Sequence, residues 1–97
     1  MLNEILTQNP NDAFARYGLA MEYSNRGEVE TAMVEFGKLL VAHPDYTAGY
    51  FMAAQTLARA SRVAEAKQML EDGIASARRT GNGHALSEME GMLTELG

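Results

Sequence analysis

Residues recur along this chain at a spacing of 34. Leu6 returns as Leu40, Pro10 as Pro44, Val29 as Val63 and Ala32 as Ala66, with no insertion between the members of a pair. A period in the thirties carried by helical segments builds stacked supersecondary units, because each unit can bury its apolar face only against its neighbours. The 97 residues suit one domain, which at this size buries roughly two thirds of its unfolded surface and folds without staples. The absence of cysteine removes disulfides, thiol catalysis and cysteine-based zinc sites.

The local pattern predicts six helices. The first is short, about Leu2 to Gln8, with Leu2, Ile5 and Leu6 on one face. Asn9, Pro10 and Asn11 break it, and the Asp12 carboxylate then caps a second helix to about Asn25. Gly27 ends that helix by accepting a left-handed conformation. Glu28 and Glu30 open a third helix at its positive end, and it stops before His43-Pro44. The cycle repeats with Asp45 as the expected cap, a fourth helix over about Tyr46 to Ala60, and Ser61 in the place of Gly27. A fifth helix spans about Arg62 to Thr80. It runs on because Arg78 stands where a third proline would fall, and Arg78 and Arg79 suit its negative end. Gly81, Asn82 and Gly83 stop it, and a last helix over about His84 to Leu96 carries Leu86, Met89, Leu93 and Leu96 on one stripe.

The pattern resembles the tetratricopeptide repeat, a 34-residue pair of antiparallel helices. Leu19, Ala20, Tyr23, Gly27, Ala32, Phe36 and Pro44 match it in one unit, and Ala53, Ala54, Leu57, Ser61, Ala66 and Leu70 in the next. The alanines are small where two helices approach closely, and the large residues fill the space between successive helices. Arg16 and Tyr50 stand where the family often has tryptophan, and Leu39 is bulkier than the usual alanine. The resemblance implies an all-α, right-handed α-α superhelix in a single domain over 1–97. A half-repeat (1–10) leads into two full helix-turn-helix repeats (11–44 and 45–80), and a capping helix (83–97) closes the stack. The chain is also similar to small stand-alone bacterial proteins of this family, which leads us to expect a complete protein.

Few chemical functions fit. The formal net charge of −5 at pH 7 opposes non-specific nucleic-acid binding. No apolar run approaches the roughly 20 residues needed to span a bilayer, and no basic leader follows Met1. We therefore expect a cytoplasmic protein without nucleic-acid or membrane partners. His43 sits at a turn and His84 at a helix start, with no second histidine at helical spacing, so no metal and no cofactor are expected. Glu71-Asp72 and Glu88/Glu90 read as solvated faces. Gly81-Asn82-Gly83 lacks phosphate-loop spacing. No acid–base or nucleophile pair assembles, so no catalytic residue is expected.

In this family the first helix of each unit lines a concave face. The resemblance places Phe14, Tyr17, Met21, Ser24 and Asn25 there in one unit, and Ala48, Phe51, Met52, Gln55 and Arg59 in the next. Phe14, Tyr17 and Met21 independently form a stripe at i, i+3 and i+7, away from Leu19, Ala20 and Tyr23. That stripe is either core covered by the terminal helices or an open groove for a peptide or helix of a protein partner. In the second case the candidate binding residues are Phe14, Tyr17, Met21, Phe51, Gln55 and Arg59, with Tyr17 and Arg59 as hot spots. Lysine and asparagine clamps for chaperone carboxylates are missing, since Tyr17, Gly18, Met21 and Met52 hold those places. The alternative is a structural protein that self-associates into a weak homodimer through Leu2, Ile5 and Leu6, exposed at one end.

Overall fold

Six helices and no strand account for the computed structural model, which describes residues 2–97. They are α1 (Leu2–Gln8), α2 (Ala13–Asn25), α3 (Val29–Ala42), α4 (Thr47–Arg59), α5 (Val63–Thr80) and α6 (Gly83–Leu96). Met1, which opens the expected half-repeat, lies outside the described residues.

Three of the helix ends share one mechanism. Gly27, Ser61 and Gly81 adopt φ of 79°, 62° and 68°. The N–H of the residue after each donates back to the carbonyls of Tyr23, Leu57 and Ala77 at 2.9, 2.9 and 2.8 Å. This bond satisfies a carbonyl that the end of a helix leaves free. Helix α3 ends differently, at His43 before Pro44.

The caps at helix starts are less regular. Asp12 Oδ1 accepts from the Ala15 N–H at 2.8 Å, as expected. Asp45 does not cap α4. Tyr46 occupies the cap position without a side-chain bond, and the Asp45 carboxylate pairs with Arg79 at 2.9 Å. The extra turns of α5 bring Arg79 there, where its guanidinium also donates to the Pro44 carbonyl at 3.2 Å. At α6 the cap is the Asn82 side chain, accepting from the Ala85 N–H at 3.1 Å, while His84 stays exposed.

Each helix packs on the next, so the chain is an α-α superhelix of antiparallel pairs. Ala20, Ala32, Ala54 and Ala66 are fully buried at the crossings inside the two pairs. Phe36, Leu39, Leu57 and Leu70 fill the spaces between them, with at most 1% of their surface exposed. Beyond this sequential packing, the backbones of α2 and α4 and of α4 and α6 also approach each other, whereas those of α1, α3 and α5 stay apart. The layer of first helices, α2, α4 and α6, is therefore the closer-packed one.

At the start of the stack, Leu6 is buried and Leu2 is half-buried. Leu2 lies over Gly18, its Cδ1 3.2 Å from where a Cβ would stand. These side chains turn into α2 and leave Ile5 alone of the three exposed, so the apolar end expected from the sequence is mostly consumed within the chain. At the other end Met89 is fully buried, with Leu86, Leu93 and Leu96 packed around it. The stripe of α6 thus closes the core formed by Tyr50, Leu70 and Ile74.

Candidate functional site: the inner face of α2, α4 and α6

The inner face owes its shape to residue size. Alanines at the crossings let α2 and α4 sit close to the second helices behind them, and the i, i+3, i+7 spacing puts Phe14, Tyr17 and Met21 on one face of α2. Phe14 is 75% exposed there. Tyr17 is half-buried, and its ring meets that of Tyr46 at 5.3 Å between centroids with planes tilted by 45°. Burial raises the Tyr17 phenol above its ordinary pKa, with Tyr46 adding to the effect. Burial also raises Tyr46, and the neighbouring Asp12 carboxylate contributes. Met21 and Met52 are half-buried and continue the surface, with Ala20, Phe36 and Ala53 in the core beneath them.

The remaining candidates are split between two crevices. Phe51 is half-buried and belongs with Tyr50, Ala85 and Leu86, in the core that α6 covers. Tyr17 and Met21 pack instead on the core between α2, α3 and α4. Gln55 is half-buried and Arg59 exposed, the latter donating to Ser24 Oγ at 2.9 Å. Ser24 is itself buried and bonded to Thr56 Oγ1 at 2.7 Å. It is a polar contact between α2 and α4, so the position that the resemblance assigns to the inner face is buried.

Tyr46 is the inner-face residue that the sequence pattern does not single out. It lies one period after Asp12, so the repeat carries an aromatic where the preceding unit carries its cap. Among the described residues no three histidines, aspartates or glutamates come close enough to hold a metal ion. None of the described helices is long and apolar enough to cross a membrane. His43 is half-buried, and its Nε2 lies 2.7 Å from the Asn11 carbonyl oxygen, tying one inter-repeat turn to the next.

No protein-family model matches the chain. It is 30% identical over 95 residues to a TPR repeat-containing protein of Pseudomonas aeruginosa, across 98% of this chain and 90% of that protein. The solution structure of a tetratricopeptide repeat domain protein from Salinibacter ruber superposes with a TM-score of 0.83 at 30% identity, over 91% of this chain and 89% of that one. A crystal structure of such a domain protein from the same organism gives 0.77 at 29% identity, over 88% and 94%. A protein of Bordetella parapertussis shares the fold, with a TM-score of 0.84 at 24% identity over 98% and 83%.

Proposed function

The chain belongs to the tetratricopeptide repeat family, a fold of protein-interaction modules, and from that premise we propose that it is a non-enzymatic scaffold in the cytoplasm. It holds a peptide or helix of a partner protein against the inner face of α2 and α4. The observation that carries this reading is the half-open surface of Tyr17, Tyr46, Met21 and Met52 beside the 75% exposed Phe14. An aromatic pair offers apolar area at low entropic cost. Methionines beside it repack around different ligands. Gln55 and Arg59 border the surface with donors for backbone or carboxylate oxygens of the bound segment.

Two repeats offer less than about 1,000 Å2 of interface in total, which places the complex among transient ones. Affinity near micromolar, about −8 kcal/mol, is expected. The test is affinity capture with the wild-type chain and with Tyr17→Ala. We expect the variant to lose at least about tenfold in partner affinity, from roughly 1.5–3 kcal/mol of apolar burial, while its melting temperature stays within a few degrees. Equal capture by both proteins refutes the groove.

Self-association is the second reading. Ile5 favours it, being 44% exposed on α1, since an exposed apolar residue at one end of a stack can meet its symmetry mate.

A further inference from the structure

Between the N-terminal halves of α4 and α6 the inner face carries a second recess, a cavity of about 230 Å3. This is below the roughly 300–1,000 Å3 of pockets for drug-sized ligands and is the scale of one side chain. Ala48, Phe51 and Ala85 supply its apolar walls, and Glu88 and His84 stand at its rim. Its charge is of one sign. The carboxylate of Glu88 has one ionic neighbour among the described residues, the exposed His84 imidazole, with His84 Nε2 3.3 Å from Glu88 Oε1. The acids that meet an arginine or lysine lie elsewhere: Glu28, Glu30, Glu35, Asp45, Glu65 and Glu90. The helix N-termini beside the recess do not cancel this charge. Asn82 already accepts from the first turn of α6, Glu88 lies beyond that turn, and the dipole effect fades within it.

An apolar slot ending at a carboxylate that no arginine or lysine meets among the described residues matches one kind of side chain, an aliphatic stem carrying a cation. We propose that this crevice receives a lysine or arginine side chain of the partner segment, with the stem against Phe51, Ala48 and Ala85 and the cation at Glu88. The proposal rests on the concave-face reading and adds a direction to it. The bound segment presents apolar residues to Tyr17 and Met21 and a basic residue to α6. The chain's net charge of −5 assists the encounter at low salt.

The crevice is tested on the full chain, isotopically labelled, by NMR titration with N-acetyl-lysine amide and N-acetyl-arginine amide, and with N-acetyl-norleucine amide as the neutral counterpart. The amides of Ala48, Phe51, Ala85 and Glu88 are expected to shift saturably with the cationic probes, about two- to five-fold more tightly than with the neutral one, the range an exposed ion pair supports. Glu88→Gln abolishes that preference and Phe51→Leu weakens binding of all three probes. Should Phe51→Leu fail to fold, Ala48→Leu on the exposed wall blocks the slot instead. Equal binding of norleucine amide, or a cation preference that persists in Glu88→Gln, overturns the proposal. The partner found by capture separates the two readings. Loss with Tyr17→Ala but full retention by Glu88→Gln overturns the crevice and leaves the groove standing. A Glu88-dependent cation preference with a partner indifferent to Tyr17→Ala does the reverse.

Discussion

Ser61 holds a φ of 62°, a left-handed conformation that the two other equivalent helix ends give to glycine. A side chain there costs about 1–2 kcal/mol through the contact of its Cβ with the carbonyl oxygen. Ser61→Gly is therefore expected to stabilise the chain by about 1 kcal/mol, a gain of roughly 4–8 °C in melting temperature for a domain of this size. Gly27→Ala is expected to lose a similar amount, and an unchanged midpoint in both would show that neither turn is under strain. Other single residues carry the period in a different chemical form. Arg16 donates to the Pro10 carbonyl at 3.0 Å, and Tyr50, one period later, donates its hydroxyl to the Pro44 carbonyl at 2.9 Å. A guanidinium and a phenol thus make the same contact at the position where the family often carries tryptophan. Arg16 also pairs with Glu35, a buried carboxylate that Lys38 approaches at 3.8 Å. Nothing in the local pattern marks Glu35 as buried, since its partner lies 19 residues earlier.

The helices follow sequence signals to within a residue or two, because glycine, serine and proline act on the backbone beside them. Their packing depends on small residues at the crossings. Ala32→Leu and Ala66→Leu are expected to cost about 1–3 kcal/mol each by overpacking, measured by denaturant unfolding. Gly73→Ala gives an independent check on α5. A Cβ there would lie 2.7 Å from Tyr50 Cβ, so the clash outweighs the roughly 1 kcal/mol that alanine gains over glycine in a helix. A stabilised Gly73→Ala would place α5 farther from α4 than this packing requires. The cap of α4 was not legible in the same way. An aspartate after Pro44 is a good cap in isolation, but the longer α5 brings Arg79 to it, and a charged partner competes with a neutral N–H for the carboxylate.

At the scale of the molecule, six helices stack into a body of 40 × 30 × 17 Å, with three apolar cores in series along the stack. The two functional readings separate by light scattering across a concentration range. A monomer throughout removes self-association, and a concentration-dependent dimer lost in Ile5→Ser supports it. The sequence by itself determined the period, the helices, the turns and the alanine crossings, because these follow from backbone propensity and residue size within a few positions. It also determined the stripe of Phe14, Tyr17 and Met21, since helical spacing alone aligns them. Only the tertiary structure decided which parts of that stripe stay open. Tyr17 of α2 meets Tyr46 at the start of α4, Phe51 joins the core under α6, Ser24 is drawn into a buried hydroxyl pair, and Leu2 and Leu6 fold back on α2. Exposure depends on neighbours tens of residues away, and periodicity fixes the direction of a side chain but not what stands in front of it.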